Sequence, residues 1–317
     1  MTTIIAEFCQ NHKGDKAIIK DMIAAAAAAG ADYAKIQSIL ADDLTFRDRF
    51  EEGVVEDGVR KAIKRPYQPE YERLKPMDVD DEAHRWFIEE CEAAGIKPLT
   101  TVFARSRVPF VGSLPWRAVK VASYDCSSLP LLNDLKERFD HLFISTGATF
   151  DHEIKAAADT LEGHSFSFLH CVTIYPTPLS ELHLRRMEFL RQFSPSVGYS
   201  DHSLVARDGN KASMIAILLG ADVVERHFTV LPADATKDGP VSVNPQQLAE
   251  LAAFARASKD EQKHIVADLV GDYSETLGEA TRPLSDAELL NRDYYRGRFA
   301  SKVNGKVIYN WEDKSLE

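Results

Sequence analysis

Two short runs, Gly198-Tyr199-Ser200-Asp201-His202 and Val223-Val224-Glu225-Arg226-His227, each carry an apolar stretch to a histidine. A helix-like stretch from about Asp208 to Gly220 separates them. As neighbouring parallel strands, they would bring both imidazoles out at one edge of one sheet. Two imidazoles there could ligate a divalent metal, with water or substrate oxygens completing its shell, which suits a catalytic rather than a structural site. Taken singly, His202 or His227 is more often a hydrogen-bonded core histidine, and Asp201 and Glu225 read equally well as ion-pairing residues. Other strand ends carry Glu7, Lys35, Gln37, Thr101, Lys120, Ser123 and Ser145. Two lysines with threonine and serine hydroxyls from separate strands would hold a phosphate or carboxylate by charge-assisted hydrogen bonds. Alone, each lysine is more often ion-paired or snorkelling, and Asp238 is a turn aspartate. His12 is an orienting group or a loop polar residue. Cys171 reads as packing, and His84, His152, His164, His183 and His264 as surface residues on helices.

The elements that must position these groups alternate. Strand-like runs cover Thr3 to Phe8, Asp32 to Gln37, Lys97 to Phe103, Ala118 to Ser123, His141 to Ser145, Ser165 to Val172, Val197 to Ser200 and Val223 to His227. Helical patterns fall between them: one is capped by Asp15 and ends near Gly30, others span Glu82 to Gly95, Asp151 to Leu161 and Leu182 to Phe193, and Pro245 to Ser258 follows the last strand. Strand–helix–strand order implies parallel strands. Eight such units over roughly 250 residues, with polar residues at nearly every strand end and no GxGxxG after the first strand, predict an α/β fold of the (β/α)8 TIM-barrel type. The barrel is expected over 1–270 with a long, charged, proline-bearing insertion at 38–80, of the kind that is usually functional. Residues 271–317 read as a C-terminal tail with no second domain, ending in a hairpin turned at Asn304-Gly305.

Bulk properties narrow the function. The 317 residues carry a formal net charge of −11, with 44% apolar and 27% charged residues. That balance argues against a nucleic-acid surface or an anionic membrane. No apolar run approaches the ~20 residues of a membrane span. Cys9, Cys91, Cys126 and Cys171 form no CxxC pair, and with no signal peptide they suit reduced thiols in a cytoplasmic protein.

In register and in order over about residues 3–260, the sequence resembles the N-acetylneuraminate (sialic acid) synthase family of phosphoenolpyruvate-dependent synthases. The resemblance is carried by Ile5-Ala6-Glu7 with Asn11-His12-Lys13-Gly14, Gly30-Ala31-Asp32 with Lys35-Ile36-Gln37, and Lys120-Val121-Ala122-Ser123. It continues through Ser145-Thr146-Gly147, Leu169-His170-Cys171 with Tyr175-Pro176, both histidine runs, and Ser242-Val243-Asn244-Pro245. It implies a (β/α)8 enzyme that joins phosphoenolpyruvate to an open-chain amino sugar with a divalent metal, usually manganese (Mn2+), magnesium or cobalt being the alternatives. By resemblance His202 and His227 are the metal ligands. Lys35, Thr101, Lys120, Ser123, Ser145 and Ser200 cradle phosphoenolpyruvate, with Thr173 adding a contact. Glu7, Gln37, Tyr175 and Asp238 face the sugar and the reacting atoms, with Glu7 and Asp238 as the catalytic carboxylates that steer protons or stabilise the positive charge developing at carbon 2.

Three departures bear on the acceptor. Family members continue into a small antifreeze-like domain that supplies an arginine to the partner subunit's sugar. Here only about two dozen residues follow Asn291, so that domain is expected to be absent and a homodimer would need another interface. Thr236-Lys237-Asp238-Gly239-Pro240 replaces the usual Gly-Pro-Asp, and the insertion is expected to bring Lys64 and Arg65 toward the sugar. The acceptor is therefore expected to differ from N-acetylmannosamine, giving a nonulosonate-type 2-keto-3-deoxy acid for surface polysaccharide. The competing reading is a catalytically silent barrel that binds a sugar acid or a partner.

Overall fold

In the computed structural model, which describes residues 1–316, eight parallel strands close into a barrel. They are β1 (Thr3–Glu7), β2 (Tyr33–Ser38), β3 (Lys97–Val102), β4 (Ala118–Val121), β5 (His141–Ser145), β6 (Phe166–His170), β7 (Ser196–Asp201) and β8 (Val223–His227). Each pairs with its neighbours in sequence, and β8 closes on β1. The register places Glu7 opposite both His227 and Lys35, Thr101 opposite both Gln37 and Lys120, and Ser200 opposite Glu225. The (β/α)8 barrel expected from the alternation is the fold observed.

The pleat explains why the polar groups meet. Ile5, Leu99, Ala118, Phe143, Leu169 and Val223, with Tyr33 against them, form a buried apolar layer inside the barrel. Side chains two residues apart on a strand share a face, so the same inward face next carries Glu7, Thr101, Lys120, Ser145, Cys171, Glu225 and Lys35. The apolar plug, worth about 1.5–3 kcal/mol per large side chain buried, is thus the floor of a polar chamber. Gly198 fits this packing because a Cβ there would lie 2.3 Å from the Val223 carbonyl oxygen. The alternate residues, such as Ile4, Ile36, Val119, Ile144 and Val224, face outward into the larger core beneath the helices.

Helix ends follow their capping residues. Asp15 Oδ1 accepts from Ala17 N at 2.7 Å and starts helix Lys16–Ala28. Helix Asp81–Ala94 stops at Gly95 with φ 73°, and Asn244 with Gln247 caps Pro245–Arg256. Two expected helices are interrupted. The 208–220 stretch divides into Val205–Asp208 and Lys211–Leu218 at Gly209, φ 54°. The 182–193 stretch shortens to Arg186–Leu190 because His183 is left-handed, φ 50°, and the next two amide N–H groups donate to the Thr276 and Leu277 carbonyls instead. His84, expected at the surface, is fully buried and hydrogen-bonds Ser38 Oγ at 2.9 Å.

Over the C-terminal ends of the strands lie the excursion and the tail. The excursion holds a small hairpin, Val54–Glu56 with Val59–Ala62, and helix Tyr67–Leu74. The tail contains helix Asp286–Tyr295 and the hairpin Ser301–Val303 with Lys306–Ile308, whose Asn304 and Gly305 have the positive φ values of such a turn. The hairpin is foreshadowed in the sequence; the helix is not. Thr45 N donates to Arg298 O and Ala300 N to Asp43 O, while Arg292 reaches the Ala148 carbonyl and Glu153 at 2.5 Å each. These bonds tie the tail to both excursion and barrel. No helix among the described residues is long and apolar enough to cross a membrane.

Candidate active site

The chamber opens into a cavity of about 440 Å³. At its floor Lys35 Nζ meets Glu7, lies 2.8 Å from Glu225 Oε2 and donates to Thr101 Oγ1 at 3.3 Å. Lys120 Nζ donates to Ser145 Oγ at 2.6 Å and to the Val121 carbonyl at 3.0 Å, and stands 3.9 Å from Glu225 Oε1. Ser200 Oγ donates to Glu225 Oε1 at 2.8 Å. Both lysines are buried, an arrangement that is stable only where carboxylates or an anion compensate them. Burial lowers the Lys35 pKa to about 8 against the pull of Glu225. Burial alone would raise the Glu225 carboxyl, but Lys120 and Lys35 hold it well below the usual carboxylate range.

One side of the cavity is the histidine corner. The His202 and His227 rings lie 5.2 Å apart, and the Tyr175 ring is 4.2 Å from that of His202. Burial keeps both imidazoles neutral, His227 further disfavouring protonation of His202. Neutral imidazole is the metal-binding form. His227 Nδ1 is buried with no hydrogen-bond partner among the described residues. Ligand atoms of Cys9, His227 and Asp238 all lie within 4.8 Å of one another, and Cys9 Sγ donates to Asp238 Oδ2 at 3.0 Å. An unpartnered imidazole nitrogen, a carboxylate and a thiol form a donor set that fits a divalent cation, and the second imidazole, His202, lies beside it rather than within that cluster.

Behind this corner, outside the barrel wall, Arg226 is wholly buried and pairs with Asp201 at 2.8 Å. Asp201 also accepts from Ser203 N at 2.8 Å and Ser213 Oγ at 2.6 Å. The pair bridges the ends of β7 and β8, next to each histidine, and so fixes how the two imidazoles present.

The NeuB family model matches residues 22–266. The chain belongs to the NeuB family. It is 31% identical to the N,N'-diacetyllegionaminic acid synthase of Campylobacter jejuni, over 95% of this chain and 96% of that one. With the pseudaminic acid synthase of the same species it shares 28% identity, over 99% and 86% of the two chains. The N-acetylneuraminic acid synthetase of Leptospira borgpetersenii superposes with a TM-score of 0.69 at 24% identity, over 92% of this chain and 90% of that one, which shows a shared fold.

In this NeuB-family barrel, the cavity is lined by Glu7, Lys35, Gln37, Thr101, Lys120, Ser123, Ser145, Tyr175, Ser200, His202, His227 and Asp238. Thr173 is not among its lining residues. It is fully buried, its methyl group packed so that a Cβ on Gly147 would be 2.6 Å away, and its carbonyl accepts from Asn291 Nδ2 at 2.7 Å. Of the excursion pair, Arg65 reaches the cavity, whereas Lys64 pairs with Glu52 at the surface. His12 is buried away from the lining and accepts from Gly14 N. Cys171 lines the cavity, its Sγ 3.7 Å from His202 Nδ1.

Sequence reasoning left Glu225 ambiguous and missed Cys9 and one whole segment. Glu225 is the central carboxylate; the signal was its place two residues before His227, on the same strand face. Cys9 gave no signal, since only the turn after β1, with Cys9 N donating to Glu7 Oε1 at 2.6 Å, aims its thiol inward. Tyr295, Arg298 and Phe299 of the tail also line the cavity.

Proposed function

We propose that this NeuB-family enzyme condenses phosphoenolpyruvate with an open-chain aldose or N-acyl hexosamine, giving a nonulosonate-type 2-keto-3-deoxy sugar acid and phosphate for surface polysaccharide. The observation that carries this is the convergence of two buried lysines and their hydroxyl partners on a carboxylate, beside two neutral imidazoles. Lys35 and Lys120 would neutralise the phosphate and carboxylate of phosphoenolpyruvate, with Thr101, Ser123, Ser145 and Ser200 fixing its orientation by hydrogen bonds. Thr173, behind the wall, would support that cradle rather than touch it. Carbon 3 of phosphoenolpyruvate bonds to the acceptor's aldehyde carbon, and the aldehyde oxygen takes a proton to become a hydroxyl. Positive charge develops at carbon 2, water adds there, and the tetrahedral centre collapses to a ketone as phosphate leaves with its bridging oxygen. Glu7 and Glu225 stand where they can oppose that charge and take the water's proton, and Asp238 and Gln37 where they can hold the acceptor.

His202 and His227, with Asp238 and Cys9 adjoining, would hold the divalent cation, for which manganese is the first choice. When bound, such a cation polarises the acceptor aldehyde as a Lewis acid. The reading further takes residues 1–270 as the catalytic barrel and the tail as part of its roof.

The test is incubation of the purified protein with manganese, phosphoenolpyruvate and a panel of hexosamines and aldoses, following phosphate release. Release that requires one of the sugars is the expected result. Absence of any sugar-dependent release from protein shown to bind manganese would favour the silent barrel.

A further inference from the structure

The outer part of the cavity carries a second cationic group that the condensation itself does not use. Arg65 and Arg73 come from the excursion, Lys237 from the loop after β8 and Arg298 from the tail; all four line the cavity. Their compensation is incomplete. Arg73 binds Glu70 through two hydrogen bonds of 2.9 Å, and Arg298 shares the same carboxylate. Burial would raise the Glu70 pKa, but Arg73 and Arg298 hold it at about 2, so one negative charge serves two guanidiniums. The Nε of Arg298, in a side chain over nine-tenths buried, has no hydrogen-bond partner among the described residues. Among the described residues, the Arg65 side chain makes a single 3.3 Å bond, to its neighbour's carbonyl, and the Lys237 side chain has neither ion pair nor hydrogen bond.

Resting on the proposed condensation, we infer that the acceptor sugar carries a phosphate monoester at the end remote from its aldehyde, held by Arg65, Arg73, Lys237 and Arg298. The aldehyde must reach the histidine corner and carbon 3 of phosphoenolpyruvate, which leaves the far end of the sugar at these outer cations. Four positive charges against Glu70 and the nearby Asp238 leave an excess of about two, the charge of a phosphate monoester near neutral pH and more than one carboxylate supplies. Planar guanidiniums bind phosphate oxygens bidentately, and the lysine adds a mobile point charge.

The experiment compares N-acetylmannosamine, its 6-phosphate and a hexuronate as acceptors, with the manganese-loaded enzyme and its Arg65→Ala and Lys237→Ala variants. Both substituted residues are exposed, so unchanged melting temperatures verify folding. The expected result is a kcat/KM at least tenfold higher for the phosphorylated sugar than for its neutral twin. Each variant should lower that ratio about tenfold, as loss of one charge-assisted contact of about 1.5 kcal/mol implies. Equal or faster use of the neutral sugar, preference for the hexuronate, or an unchanged ratio in the variants overturns the inference. If none of the sugars reacts, the condensation reading fails separately. Calorimetric binding of the sugar pair with phosphoenolpyruvate present then decides: tenfold tighter binding of the phosphorylated sugar, lost in Lys237→Ala, sustains the anion site, and equal binding removes it.

Discussion

Lys35 ties the proposed binding of phosphoenolpyruvate to pH. Its pKa of about 8, lowered by burial, means that the ammonium form needed to hold phosphoenolpyruvate loses its proton as pH rises through that value. The expected profile of kcat/KM for phosphoenolpyruvate, which reports the free enzyme, is level below pH 8 on this limb and falls above it. A profile still level at a pH two units higher would show that Lys35 does not carry the charge. Ser145, bonded to Lys120 at 2.6 Å, tests the cradle: Ser145→Ala should raise KM for phosphoenolpyruvate about ten- to a hundredfold, the loss of a hydrogen bond to a charged group, and an unchanged KM would remove it from the site. The strand-end residues were legible because a lysine or histidine closing an apolar run has few other places to go. Glu225 was visible yet ambiguous, since an inward carboxylate and a surface ion-pairing one look alike until the pleat's register is known. Cys9 was illegible because its direction depends on a left-handed backbone, φ 46°, and on Asp238, 229 residues away.

At the level of elements, the ends of β7 and β8 are locked by Asp201 and Arg226. Arg226→Met should destabilise the fold by about 3–5 kcal/mol, because Asp201 is left as an unpaired buried charge, while adding Asp201→Leu to it should recover much of the loss. Denaturant unfolding measures both; a loss under about 1 kcal/mol in the single variant would mean that the pair is not the lock described. The barrel strands were legible from their alternation with helices. Helix Asp286–Tyr295 was hidden behind the irregular stretch with Gly278 and Pro283 that precedes it, although Ser285 and Glu288 form a capping box, each bonding the other's backbone N–H. The break at His183 was hidden as well, since it exists to let the tail's carbonyls replace helical hydrogen bonds.

Across the whole molecule, buried neutral histidines set the acid limit of stability. Burial lowers the His170 pKa to about 3 and that of His84 below its ordinary value. Between pH 6.5 and the folded values, the unfolded chain binds protons that the folded one does not, so stability rises with pH there and is lost as pH falls. For His170 the slope approaches about 1.4 kcal/mol per pH unit in that window. A melting temperature that declines from pH 6.5 to 4.5 is expected, and a level one would contradict the burial of these rings as neutral groups. The barrel and its inner chamber were readable from local periodicity. The roof was not, because the excursion and tail meet through contacts such as Thr45 with Arg298, which have no local pattern. Of the outer cations, Arg65 was expected from the sequence, whereas the convergence of Arg73, Lys237 and Arg298 on the cavity became visible only in the folded chain.

The central claim is that carbon 3 of phosphoenolpyruvate becomes bonded to a sugar carbon in this cavity. Phosphoenolpyruvate labelled with carbon-13 at carbon 3, incubated with the manganese-loaded enzyme and the acceptor panel, reports this directly by nuclear magnetic resonance. The expected result is a labelled methylene coupled to a new sugar carbinol proton, appearing in step with phosphate. Label that stays in phosphoenolpyruvate, or that appears only in the methyl group of pyruvate, would contradict the claim.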